Sequence, residues 1–336
     1  MLVSGLRTEL LFLAEGGNGD LVRRRAIGAY LGLAVGDALG ATVEFMTPRE
    51  IRAEYREHRD LIGGGWLHLR RGQVTDDTTM ALALGRSILT AGRVDAHAAA
   101  EAFSDWMRAK PVDIGNTVRR GIAAYRLSGQ PESPQNEFDA GNGACMRCLP
   151  VALVTLGADP DGVAAANRAQ AHVTHNNPVS DAGTLTVIRM VQAALLGTAG
   201  SGIIPASAGR HGAKAVLKQL ADELVAAEPV FAYDRKRMEN PSAYIADTLR
   251  AVFQSLFATD NFEHALIDVV NRGGDADTTG AILGMIAGAL YGPAALPARW
   301  VRRLDQAIRR ECLEQAQALL QHSPLCQARV PPETSA

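Results

Sequence analysis

An all-α fold is what the sequence predicts. Apolar residues recur at helical spacing in segment after segment, no stretch alternates as a strand does, and Gly, Pro and Asn clusters separate the periodic segments. The first helix is expected over 22–41 and the second over 47–58, closed off by Gly63-Gly64-Gly65. Segments 78–91 and 95–109 follow, ended by Pro111; 115–127 runs to the polar stretch Pro131 to Gly143, and 144–156 comes after it. Asn176-Asn177-Pro178 opens 178–197, and 212–227 precedes Asn240-Pro241, which opens 241–258. After 262–271, Gly273-Gly274 leads into 278–291, and 296–321 is the last helical segment. Connections this short make residues 25–322 one domain, a single compact multi-helix unit. Residues 1–24 read as a disordered extension: the apolar run at 10–14 is brief and precedes Arg23-Arg24-Arg25, the wrong order for a signal peptide. Residues 323–336 read as a mobile tail.

Composition narrows the function. With 47% hydrophobic residues the 336-residue chain can bury a large core, and 34 Lys+Arg against 36 Asp+Glu leave no basic field for nucleic acid. Four cysteines are too few for a disulfide scaffold and fit a reducing cytoplasm. The apolar stretches 26–43 and 279–292 are interrupted by Asp37 and stopped by Pro293, short of the ~20 residues a membrane span needs. They read as buried helices. Gly28, Gly32, Gly36 and Gly40 recur every four residues, as do Gly280, Gly284 and Gly288. Each glycine costs a helix about 1 kcal/mol relative to Ala, so a close backbone approach must offset it, and the two helices are expected to be central and touching.

Two acidic clusters about 200 residues apart carry the chemistry: Thr75-Asp76-Asp77-Thr78-Thr79 and Gly274-Asp275-Ala276-Asp277-Thr278-Thr279. A helix cap needs one oxygen. Four carboxylates at the starts of apolar helices would repel and protonate unless cations compensated them, and oxygen-only ligation suits Mg²⁺ or Mn²⁺, with a shared carboxylate holding two ions ~3.5–4 Å apart. Asp113, before Ile114-Gly115-Asn116, is either a cap or a carboxylate not committed to metal. Gly141-Asn142-Gly143-Ala144-Cys145-Met146 lets backbone N–H groups approach a phosphate, though such starts are common. His175 reads as a ligand-facing donor and His172 as a packed histidine; neither has the partners of a zinc site. Glu44 is a surface acid or a buried polar contact, and Tyr244 packs in the core or stacks on a base.

Together the stretches GAYLGLAVGDALGATVEFM (28–46), TDDTTMALALG (75–85), PVDIGNTVRRGI (111–122), GNGACMRCLP (141–150), THNNPVSDA (174–182) and NRGGDADTTGAILGMIAGALYG (271–292) resemble the ADP-ribosylglycohydrolases, in family order from about residue 26 to 321. Segments 28–46, 63–66 and 111–117 are most similar to the branch that reactivates nitrogenase iron protein. The resemblance implies a dinuclear metal cleft with two divalent cations, Mn²⁺ or Mg²⁺, on Thr75, Asp76, Asp77, Asp275, Asp277 and Thr278. It implies catalytic roles for Asp113, Asp76 and Asp275, with Asn116 beside Asp113. Glu44 would contact the ribose-bearing region, Gly141, Asn142, Gly143 and Met146 the diphosphate-ribose, and His175 the adenosine half; Tyr244, read above, is the remaining substrate-binding candidate. It further implies hydrolysis of an ADP-ribosylated arginine on nitrogenase iron protein, a PII signalling protein as partner, and reversible recruitment of a cytoplasmic enzyme to an ammonium transporter at the membrane. Hydrolysis of serine-linked or free ADP-ribosyl compounds, metal-dependent phosphatase activity and a non-catalytic crystallin-like role are the rival readings. The N-terminal extension and an insertion around 199–214 depart from the family pattern.

Overall fold

Two glycine-striped helices pair along their lengths at the centre of the molecule, and the rest of the chain is arranged around them. The computed structural model describes residues 18–137, 140–199, 202–203 and 209–328. In chain order the helices are α1 (Asn18–Gly40), α2 (Pro48–Tyr55), α3 (Asp76–Ala91), α4 (Ala96–Arg108), α5 (Asn116–Ser128), α6 (Gly143–Met146), α7 (Leu149–Val154) and α8 (Pro160–Ala171). They continue as α9 (Pro178–Leu196), α10 (Gly209–Ala227), α11 (Ile245–Ala258), α12 (Phe262–Val270), α13 (Ala276–Tyr291), α14 (Ala298–Val301), α15 (Gln306–Gln321) and α16 (Pro324–Gln327). The one sheet among the described residues is a two-stranded antiparallel ribbon, Thr198–Ala199 with Gly202–Ile203, at the start of the expected insertion.

The stripes interlock in antiparallel register. A Cβ on Gly28 would lie 2.3 Å from the Gly288 carbonyl oxygen, one on Gly32 2.1 Å from that of Gly284, one on Gly36 2.0 Å from that of Gly280, and one on Gly40 2.1 Å from that of Ala276. Side chains are excluded along the whole seam, so the two backbones gain dispersion contacts that offset the glycine cost. The register also sets the site, because it brings the start of α13 beside the end of α1. Gly273 and Gly274, at φ +70° and +64°, turn the chain into α13; their Cβ atoms would lie 2.1 Å from the Met46 carbonyl oxygen and 2.2 Å from that of Pro241.

Some boundaries differ from expectation. Helix α1 starts at Asn18, inside the segment expected as an extension, because Asp20 and Arg24 form an (i, i+4) pair at 3.6 Å and Val22 packs on the core; residues 1–17 lie outside the described residues. The segment 144–156 divides into α6 and α7, with Pro150 in the first turn of α7. Segment 296–321 divides likewise, and Asp305 caps α15 through the N–H groups of Ala307 and Ile308. Helix α8 has no counterpart in the sequence reading because Asn167 and Gln170 take half of its buried face, breaking the apolar period. At the C-terminus Ser323 caps α16 and Leu325 packs on the core, while 329–336 lie outside the described residues. Only α9, among the described residues, is long and apolar enough to cross a membrane by length and composition; it packs against α1, α8, α10, α11 and α13.

Candidate active site

Asp37 organises the first acidic cluster from outside it. It sits on α1 one turn before the seam ends, fully buried, and its carboxylate accepts from the Thr75 N–H (2.9 Å) and hydroxyl (2.9 Å) and from the Thr78 N–H (3.0 Å) and hydroxyl (2.5 Å). The start of α3 is therefore capped by a side chain from α1. Thr75 does not cap its own helix, which leaves its hydroxyl 3.5 Å from Asp77 Oδ2 and 3.4 Å from Asp277 Oδ2. The Thr278 hydroxyl, at the start of α13, lies 3.4 Å from the same Asp77 oxygen. Clusters about 200 residues apart in sequence are in contact.

One carboxylate oxygen from each of Asp76, Asp77 and Asp277 lies within 4.8 Å of the others, and Glu44, Asp113 and Asp277 make a second triad on the same terms. Asp277 belongs to both. Asp275 belongs to neither, and its Oδ2 accepts from Asn142 Nδ2 at 2.6 Å. Asp77 Oδ1 is buried with no hydrogen-bond partner, an unusual state for a carboxylate oxygen. Burial and then mutual repulsion push the acids up: Asp76 to about 7, Asp77 and Asp277 well above the carboxylate range. Burial raises Asp37 to about 6 against its four hydrogen bonds. Buried, all-oxygen and short of cations, this donor set fits hard divalent ions.

These shifts give a signed pH dependence. Each acid keeps its proton to higher pH in the folded chain than in the unfolded one, so the metal-free protein loses the corresponding stability as pH rises from roughly 4 through the folded values. His175 works oppositely, because burial and then Arg147 and Arg120 depress it to about 3, and its contribution is lost as pH falls below about 6.5. The increment in Tm on adding Mn²⁺ to EDTA-treated protein isolates the acids. It is expected to grow from pH 5 to pH 8 as proton competition weakens; a pH-independent increment would contradict the site.

The acids open into a cleft of about 680 Å³. Asp113, half-buried, lies on one wall with Asn116; Gly141, Asn142, Gly143, Met146 and His175 form another. The glycines make room for the imidazole, since a Cβ on Gly143 would lie 2.7 Å from His175 Cε1. His175 Nδ1 pairs with the Thr174 hydroxyl at 2.7 Å, and that hydroxyl accepts from Arg147 at 2.8 Å. Arg147 is wholly buried over the Phe103 ring, 4.4 Å from its centroid, and burial lowers it to about 9 while Asp76 opposes the shift. At the mouth Trp66 Nε1 donates to Glu44 at 2.7 Å; burial, against this bond and aided by the neighbouring acids, takes Glu44 to about 8.

Of the expected site residues, Tyr244 alone does not line the cleft or touch the acid cluster. It precedes α11, its backbone bridges to Gly141, and its side chain is part-exposed. In the sequence Asp37 reads only as a break in an apolar run, and Arg147 and Trp66 carry no assigned role. An acid in the middle of a glycine-striped helix was the available signal for Asp37; nothing local marks the other two, whose partners are distant in sequence.

The helical fold and the acidic cleft define a class of protein. The chain belongs to the ADP-ribosylglycohydrolase family, whose profile matches residues 18–329, and it is a hydrolase of ADP-ribosyl linkages. It is 49% identical over 302 residues to the ADP-ribosyl-[dinitrogen reductase] glycohydrolase of Rhodospirillum rubrum, covering 90% of this chain and 97% of the relative. With the ADP-ribosylarginine hydrolase Tri1 of Serratia proteamaculans it shares 33% identity, over 84% of this chain and 75% of the relative. A solved ADP-ribosylglycohydrolase-related protein complex superimposes with a TM-score of 0.76 at 32% identity, over 90% of this chain and 98% of that one.

Proposed function

We propose that this chain removes ADP-ribose from an arginine of the nitrogenase iron protein and so restores it to activity. The single observation that carries the chemistry is the convergence of Asp76, Asp77, Asp275 and Asp277 with Asp113 and Glu44 around one cleft. The substrate is supported by the 49% identity to a relative that acts on dinitrogen reductase. Two divalent ions, Mn²⁺ or Mg²⁺, held by Thr75, Asp76, Asp77, Asp275, Asp277 and Thr278, would supply electrostatic stabilisation and a polarised water when bound. Water's hydroxide adds to ribose C1 as the bond to the guanidine nitrogen breaks, and a proton goes to that nitrogen.

In this reading Asp113 holds the guanidinium and moves that proton. It is half-buried on the cleft wall, held by the Ile114 N–H at 2.8 Å, with its proton affinity raised by burial against that bond and further by Asp275. Neutral His175 and the 141–146 turn line the end that takes the diphosphate and adenosine. Asp113→Asn is expected to lower kcat by roughly 10²–10⁴-fold while far-UV circular dichroism and Mn²⁺ content stay unchanged; full activity would remove Asp113 from the mechanism. A cytoplasmic location, PII binding and recruitment to an ammonium transporter accompany this reading through the family resemblance alone. The deciding assay incubates the chain with ADP-ribosylated iron protein, with and without Mn²⁺. Metal-dependent release of intact ADP-ribose with recovery of nitrogenase activity is expected; release of inorganic phosphate, or preference for a serine-linked substrate, would overturn it.

A further inference from the structure

A second groove, of about 790 Å³, adjoins the cleft, and Glu44, Phe45 and Trp66 line both. Two large aromatics are exposed on that shared rim: Phe45 is 64% and Trp66 50% exposed, with ring centroids 5.4 Å apart. Phe45 is held there at φ +63°, a conformation costly for an aromatic residue. The outer wall is α2, which presents Glu50, Ala53 and Glu54 to the groove. Helical spacing puts Glu50 and Glu54 on one face and turns Arg52 away from it, and among the described residues no Lys or Arg lines the groove. Aromatic faces and carboxylates without a compensating cation complement Arg and Lys side chains.

Resting on the arginine-linked reading above, we propose that this groove docks the polypeptide of the protein substrate beside the modified arginine, through basic residues of that segment lying across Phe45, Trp66 and the Glu50–Glu54 face. Continuity selects this occupant. With ADP-ribose in the cleft and its guanidine at Glu44 and Asp113, the peptide chain leaves through the mouth that the two cavities share. The groove thus separates a protein substrate from free ADP-ribosylarginine, which has the same scissile bond and no flanking chain.

The test measures kcat and KM of wild type, Glu54→Gln and Glu54→Arg on an ADP-ribosylated protein and on ADP-ribosylarginine. Glu54 is exposed and outside the cleft, so the variants should melt as wild type does. Glu54→Arg is expected to raise KM for the protein at least about tenfold with kcat held, Glu54→Gln to fall between, and added salt to raise the wild-type KM. Kinetics on ADP-ribosylarginine should not change. Equal shifts on both substrates, or none on either, overturn the groove alone. Conversion of a dimer to a monomer by Glu54→Arg in sedimentation would assign the groove to a second copy of this chain and also overturn it. A wild-type enzyme inactive on both substrates would overturn the functional reading itself.

Discussion

Asp277→Asn is expected to reduce kcat/KM by at least ~10³-fold, about 4 kcal/mol of transition-state stabilisation. Asp277 is the carboxylate common to both acid triads, so its loss withdraws a proposed metal ligand that also faces Glu44 and Asp113. The variant should also reverse a sign. Without metal, Asp277 is a buried acid facing Glu44, Asp77 and Asp275, and an amide of the same shape relieves that repulsion. Metal-free Asp277→Asn should therefore melt above metal-free wild type at pH 8, while Mn²⁺ raises its Tm far less. Metal analysis and melting curves check both parts. Full activity with two bound ions would remove Asp277 from the site.

Gly36→Ala is expected to cost about 3 kcal/mol or more. Its Cβ would lie 2.0 Å from the Gly280 carbonyl oxygen and 2.4 Å from the carbonyl carbon, and backbone on a straight seam cannot rotate away as a side chain can. Gly162→Ala on α8 is the control. Its nearest neighbours would be 3.5 Å away, and it should be neutral or gain up to ~1 kcal/mol from helix propensity. Denaturant unfolding distinguishes them; equal effects would show that the stripe is not a packing device. Because α13 carries Asp277 at its start, a Gly36 variant that still folds should lose metal affinity as well.

Most of the scaffold was legible because each signal is local. A four-residue glycine period shows a bare helix face, and four acids at two helix starts show a need for cations. What stayed hidden depends on contacts across the fold. Asp37 looks like a flaw in an apolar run until the Thr75 and Thr78 donors are seen to point at it. Arg147 has no local sequence signal, and Gln170, Thr174 and Phe103 hold it in the core. Helix α8 is the same case, since its inward Gln170 bonds the Ala144 carbonyl oxygen in place of apolar packing. Tyr244 shows the reverse: an aromatic read as packing in the core or stacking on a base, whose backbone, through the bridge to Gly141, has the structural part.

The pairing of α1 with α13 also bears on how the chain is made. On the ribosome, helix α1 cannot cover its bare face until its partner, more than 200 residues later, has been synthesised. Assembly is thereby bound to late, long-range closure, with slow maturation and a prolonged interval in which nascent chains are open to chaperones and to aggregation. The same dependence makes the ends of the chain cooperative. A fragment ending before Gly274 has neither the seam nor the second acidic cluster, so catalytic competence arrives in one step with residues 274–291.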